Sequence, residues 1–166
     1  MQIVFDLSTS KDVLFFKPMM DELQRWGHNV SAVSRSYWEC NEFIKHYKID
    51  VTILGKHGGA SLKGKLKASG QRLYYLAEYL DRLKPDVIVC LANPESCRAG
   101  FGLKIPVVCF NDMPEADAVC RLTTPLASKI MTPWIVPKDV FTRYGIDETR
   151  VYQYCALDPI LWLKDK

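Results

Sequence analysis

The stretch Lys84-Pro85-Asp86-Val87-Ile88-Val89-Cys90-Leu91-Ala92-Asn93-Pro94-Glu95 decides the fold class. Lys84-Pro85 stops a long amphipathic helix, because the residue before a proline is pushed out of the helical region. A short apolar run follows and reads as a strand over 86–91. The Ala92-Asn93-Pro94-Glu95 loop then starts a new helix that runs to about Gly102. Working outward, apolar runs recur at 3–7, 30–33, 51–54, 107–110 and 129–132, each breaking into a polar or glycine-containing cluster before an amphipathic stretch. Strand alternating with helix is the pattern of a parallel sheet covered on both faces. The spacing predicts strands over 2–7, 28–34, 50–54, 86–91, 105–110, 129–132 and 150–154. It predicts helices over 12–26, 38–47, 71–83, 94–102, 114–122 and 138–144. Pro18 fits the first of these only near a first turn, which would move the helix start later. The expected architecture is α/β: a Rossmann-like parallel sheet of six or seven strands with helices on both faces. Such sheets bind ligands at the carboxyl ends of their strands.

Length and composition narrow the class. The chain has 166 residues, 48% hydrophobic and 25% charged, with net charge +3. That is one domain of ordinary soluble balance, with too little charge to indicate nucleic acid. No stretch approaches the ~20 apolar residues of a membrane span. Met1-Gln2 runs straight into a strand carrying Asp6, which is unlike a signal peptide. The six cysteines, at 40, 90, 97, 109, 120 and 155, form no C-x-x-C pair. They read as reduced thiols of a cytoplasmic protein, with no metal site and no cofactor expected.

Several motifs bear on chemistry. Gly59-Ala-Ser-Leu-Lys-Gly64-Lys65 has P-loop spacing, but Leu66 stands where a magnesium-binding hydroxyl is needed, so an ATPase is rejected. No G-x-G-x-x-G follows the first strand, which argues against NAD. A phospho-accepting receiver needs an Asp where this chain has Leu54-Gly55-Lys56. From Val51 to Ala77 there is no Asp or Glu, while Lys56, Lys63, Lys65, Lys67 and Arg72 lie there with His57. Beside Gly58 and Gly59 these cations suit a phosphate, an anionic membrane surface, or simply a solvated helix face. Ser8, Thr9 and Lys11 offer hydroxyl and phosphate contacts, with an N-cap as the plainer role. Asn93 and Glu95 follow the fourth strand, and Asn111 and Asp112 the fifth. These residues are candidates for sugar hydroxyls, with Asp112 and His57 as acid–base groups. Glu95 and Arg98, three apart, are expected to form a local ion pair.

Taken together, certain strings resemble one family. They are Phe5-Asp-Leu-Ser8, Phe15-Phe16-Lys17-Pro18, Gly55-Lys-His-Gly-Gly59 with Ser61-Leu62 and Gly64-Lys65, Lys84-Pro85-Asp86-Val87, Asn93-Pro-Glu95 with Arg98, Phe110-Asn111-Asp112 with Arg121-Leu122-Thr123, and Thr132-Pro133. In order and spacing they resemble the domain of unknown function 354 family, itself similar to GT-B-type glycosyltransferases and UDP-N-acetylglucosamine 2-epimerases. The resemblance implies a GT-B N-terminal domain over 1–156, followed at 157–166 by an apolar tail where an inter-domain linker begins. It implies binding of a glycosyl acceptor or part of a sugar nucleotide, and a C-terminal-half partner or homo-oligomer that supplies the second wall for catalysis. A non-catalytic binding or scaffold module that retains the fold is the alternative. Histidines that the family tends to carry after strands one and four have no counterpart, since Asp12, Leu14 and Leu91 stand there.

Overall fold

The computed structural model describes residues 1–160. Seven strands, β1 (Gln2–Leu7), β2 (Asn29–Ser36), β3 (Thr52–Lys56), β4 (Val87–Leu91), β5 (Val107–Phe110), β6 (Lys129–Pro133) and β7 (Val151–Tyr154), build one sheet. Their order is β3-β2-β1-β4-β5-β6-β7, and every neighbouring pair is parallel. Between them run α1 (Ser10–Arg25), α2 (Trp38–His46), α3 (Leu62–Leu83), α4 (Pro94–Leu103) and α5 (Asp117–Thr123), with 3₁₀ turns at Thr124–Leu126, Lys138–Tyr144 and Glu148–Arg150.

Strand periodicity sorts the core into two layers, since successive side chains leave opposite faces. Ile3, Phe5 and Leu7 pack with Phe15, Phe16 and Met20 of α1 and with Cys40 and Ile44 of α2. Val4, Ile88 and Cys90 pack with Leu76 and Leu80 of α3 and with Cys97 and Ala99 of α4. Helices therefore cover both faces, as the sequence predicts. The chain builds outward from β1 through β2 to β3, then crosses to β4 and builds the other way. The reversal lies between β1 and β4, and a crevice at their carboxyl ends is where this architecture places ligands.

Some boundaries differ from expectation for identifiable reasons. α1 begins at Ser10 and runs through Pro18 rather than starting after it. Thr9 is its N-cap: the Thr9 hydroxyl accepts from the Asp12 N–H and the Asp12 carboxylate accepts from the Thr9 N–H, a capping box. Burial of Phe15, Phe16 and Met20 around the proline outweighs one lost helical hydrogen bond. α3 is one helix from Leu62 although Gly64 and Gly70 lie in it, because the Ser61 hydroxyl caps it by accepting from the Gly64 N–H at 3.0 Å. α5 starts at Asp117, not at Pro114. The Pro114 carbonyl is taken instead by Arg143 and the Tyr144 hydroxyl, both at 2.8 Å. Segment 138–144 is a 3₁₀ helix.

Candidate functional site

The carboxyl edge of the sheet gathers the predicted residues into three groups. The first lies at the β1–β4 reversal and centres on a residue that motif reading placed elsewhere. Arg72 of α3 is 1% exposed, and its guanidinium donates to both oxygens of Asp6, at 2.6 and 3.0 Å. Asp6 also accepts from Ser8 Oγ at 2.9 Å and from Ser96 Oγ of α4. The Asn93 amide nitrogen donates to Ser8 Oγ at 2.8 Å, while its carbonyl oxygen accepts from the Ser96 N–H at 3.0 Å. Asn93 is thus the N-cap of α4 and the bridge between the two strand ends. Glu95 sits 3.8 Å from Arg72 rather than pairing with Arg98. The expected local pair yields to the stronger demand of a buried cation. Burial works to lower the Arg72 pKa, but the Asp6 charge and its hydrogen bonds outweigh it and hold it above its ordinary value.

Asp6 and Arg72 were legible as residues but not as a pair. A carboxylate inside the apolar run Ile3-Val4-Phe5-Asp6-Leu7 must find a cation. No local feature says that the cation comes from position 72. Arg72 does not belong to the free basic face, although Lys56, Lys63, Lys65 and Lys67 are exposed as expected.

Thr9 and Asp12 close this group. Asp12 accepts backbone N–H bonds from Ser8 at 2.8 Å and Thr9 at 3.0 Å. Burial nevertheless lifts its carboxyl from 3.8 to about 6. The folded chain therefore holds this proton more tightly than the unfolded chain does. The stability contributed is complete below about pH 3.8 and is lost as pH rises through about 6. Urea unfolding at pH 4 and pH 7 is expected to show the wild type losing roughly 2 kcal/mol more than Asp12→Asn over that interval. Equal pH dependence of the two proteins would contradict the burial argument.

The second group is an ion-pair cluster at the ends of β1 and β5. Lys11 lies 2.6 Å from Asp112 and 3.0 Å from Asp158, and the Tyr154 hydroxyl also donates to Asp158. Burial works to lower the Lys11 pKa, but its bonds to the two carboxylates hold it above its ordinary value. Asp158 is 4% exposed, while Leu157 and Ile160 beside it are exposed. Leu161, Trp162 and Leu163 of the predicted tail lie outside the described residues. Asn111 turns inward: its carbonyl oxygen accepts from the Met113 N–H at 2.9 Å, and its amide donates to Cys120 Sγ at 3.3 Å.

The third group holds the open space. Lys56, His57, Gly58 and Gly59 leave the end of β3 and, with Gly64, Lys67, Ala68 and Gln71 of α3, line a cavity of about 610 Å³. The loop lies tight on the helix, since a Cβ at Gly58 would stand 2.5 Å from the Gly64 carbonyl oxygen and the Lys65 Cα. Gly59 has φ +74, a conformation that L side chains resist. His57 lies against Tyr37 with centroids 4.7 Å apart and ring planes tilted by 32°, and its Nδ1 accepts from the Gly59 N–H at 3.2 Å. The cavity presents lysines, an imidazole and glycine backbone, a set that favours anions. Another hollow, of about 400 Å³, lies by the amino-terminal halves of β2 and β3, away from the ligand edge.

Among the described residues one group of metal-ligating side chains comes together outside these three. The thiols of Cys90, Cys97 and Cys109 lie within 4.8 Å of one another, fully buried in the α3/α4 layer. Cys90 and Cys109 sit in strands, as expected of thiols used as small apolar groups.

A doubly wound parallel sheet with its ligand edge on this side defines a Rossmann-like domain of the kind found in GT-B-type enzymes. The chain belongs to the family described as Protein of unknown function (DUF354), which matches residues 1–165. An uncharacterized protein of Methanocaldococcus jannaschii is 28% identical over 145 residues, 87% of this chain. This chain spans 42% of that relative's length. Among solved structures it is similar to the UDP-GlcNAc 2-epimerase of Neisseria meningitidis bound to UDP-GlcNAc, with TM-score 0.75 and 16% identity, covering 92% of this chain and 46% of the epimerase. It is also similar to the MurG protein of Acinetobacter baumannii, with TM-score 0.62 and 16% identity, covering 82% of this chain and 42% of MurG. At these identities the likeness is one of fold.

Proposed function

We propose that this chain forms one wall of a sugar-nucleotide-processing site, glycosyltransferase-like or 2-epimerase-like, and that a second domain forms the other wall. The observation that carries the reading is the β3–α3 cavity, anion-favouring and set at the carboxyl edge. It lies in a chain whose fold follows about half of a UDP-GlcNAc 2-epimerase. Lys56, His57, Lys67 and the Gly58 and Gly59 backbone would meet the phosphates of the nucleotide or of a charged acceptor. Ser8, Thr9, Asn93, Glu95 and Asn111 would shape the adjoining rim and the sugar's surroundings. Asp112 would serve as the acid–base group, with an incoming hydroxyl competing with Lys11 for its carboxylate.

Amide-resolved NMR titration with UDP-GlcNAc, UDP and inorganic pyrophosphate tests the binding. The expected result is saturable shifts at Lys56–Gly59 and Gly64 with all three. Absence of shifts there with every compound would remove the reading. In a complex reconstituted with a C-terminal-half protein, Asp112→Asn is expected to cut turnover about 100-fold or more. Its thermal stability should stay close to wild type, because the Lys11–Asp112 pair is partly solvated.

One observation favours a non-catalytic binding module instead. The polar groups of Asp6, Ser8, Arg72, Asn93 and Asn111 are engaged with one another or with neighbouring protein groups. A reconstituted complex that assembles yet turns over no sugar nucleotide would select that alternative.

A further inference from the structure

α3 is longer than the sheet it covers. Its 22 residues rise about 33 Å, whereas the five-residue strands β3 and β4 rise about 17 Å. Its buried residues, Arg72, Leu76 and Leu80, lie from its midpoint onward, and none of residues 62–71 is buried. Tracing the core-facing stripe back from Leu80 in steps of three and four gives Leu76, Leu73, Ser69, Leu66 and Leu62. Leu62 and Leu66 therefore continue the face that is core elsewhere, but they stand past it, 85% and 76% exposed. Such a face has lost its cover.

Charge identifies what fits it. Lys63, Lys65 and Lys67 are exposed beside the leucines, and no acid occurs from Val51 to Ala77. At about 100° per residue, Lys65 falls on one side of the leucine stripe and Lys63 and Lys67 on the other. The positive end of the helix dipole lies at the same place. A second copy of the chain would set lysine against lysine. An anionic lipid surface would accept leucines between cations, the lysine stems lying along the acyl boundary and their heads on phosphates.

We infer that the overhanging first turns of α3 dock on an anionic membrane surface, with Leu62 and Leu66 inserted and Lys63 and Lys65 on lipid phosphates. No described helix is long and apolar enough to cross a membrane, so the contact is peripheral. Of the α3 residues that line the β3–α3 cavity, Gly64, Ala68 and Gln71 lie on the opposite side of the helix and Lys67 is not one of the docking cations, so docking leaves it open. The inference rests on exposure and charge, independently of the sugar-nucleotide reading.

Co-sedimentation with phosphatidylcholine vesicles, with and without 30 mol% phosphatidylglycerol, tests it. Full-length protein is expected to bind only the anionic vesicles, less so as salt rises. Lys63→Gln/Lys65→Gln should weaken binding about 25-fold, from roughly fivefold per cation. Leu62→Ser/Leu66→Ser should weaken it at least tenfold. Both variants should keep the wild-type far-ultraviolet circular dichroism spectrum, since these side chains lie outside the core. Equal binding to neutral vesicles, or retained binding by the leucine variant, would overturn the inference. So would absent vesicle binding, including the case where light scattering finds a dimer that Leu62→Ser/Leu66→Ser dissociates.

Discussion

Arg72→Met is expected to destabilise the chain by about 3–5 kcal/mol, the largest effect of any single change considered. The reason is not that the Arg72–Asp6 pair is strongly stabilising. Desolvation of two ions offsets most of their attraction, so a buried pair contributes little net stability. Removing one partner is different, because the Asp6 carboxylate would remain buried with only the Ser8 and Ser96 hydroxyls. The end of β1 and helices α3 and α4 meet on that carboxylate, and Asn93 ties the end of β4 to Ser8 beside it, so the reversal point of the sheet would loosen with it. Chemical denaturation should record a lower midpoint for Arg72→Met. The double variant Asp6→Leu/Arg72→Met should recover most of the loss, since it leaves no unpaired ion. A single variant as stable as wild type would show that Asp6 finds another partner or takes up a proton.

Gly58→Ala is expected to have the largest effect on ligand binding, at least a tenfold loss of affinity for UDP or pyrophosphate by titration calorimetry. The added Cβ would stand 2.5 Å from the Gly64 carbonyl oxygen and the Lys65 Cα, and both belong to backbone. Backbone cannot rotate away as a side-chain tip can, so loop 56–59 must lift off α3 and the cavity between them must change shape. Overpacking of this kind costs about 1–3 kcal/mol. Gly59→Ala is the matched control. Its Cβ would meet nothing within 4 Å, so only the φ of +74 resists it. A left-handed alanine costs roughly 1–2 kcal/mol and leaves the cavity walls in contact. If Gly58→Ala bound as well as wild type, the tight loop–helix contact would not govern the cavity.

The same two glycines mark the limits of reading a sequence. Their adjacency to Lys56 and His57 made an anion site a reasonable expectation, and the four residues do line one cavity. Which glycine is needed for space and which for its backbone angle became visible only when α3 lay against the loop. The helix boundaries behave likewise. Ser61 and the Thr9–Asp12 box are capping signals, yet Gly64, Gly70 and Pro18 argued against the helices that those caps start. Local propensity is worth about 1 kcal/mol for a glycine and about 3 for a proline; burial of Phe15, Phe16 and Met20 outweighs it around Pro18, while at Gly64 the Ser61 cap supports the helix start.

The candidate site divided along similar lines. Lys11 and Asp112 each carry a candidate's chemistry in the sequence, but their separation of 101 residues hides the fact that they neutralise each other. Arg72 read as one more cation in a basic stretch, and Glu95 as a partner for Arg98. Both assignments followed sequence distance: Arg72 pairs instead with the buried Asp6 carboxylate 66 residues away, and Glu95 faces the buried Arg72 cation.

Alternating apolar runs and helix signals were enough by themselves to determine a parallel α/β sheet and which of its edges is the carboxyl edge, because strand period and helix period are local properties of the chain. Which charged side chains remain free at that edge was decided only by the tertiary structure. Pairing energy inside a protein depends on distance in space and on exclusion of water, and neither is a function of separation along the sequence.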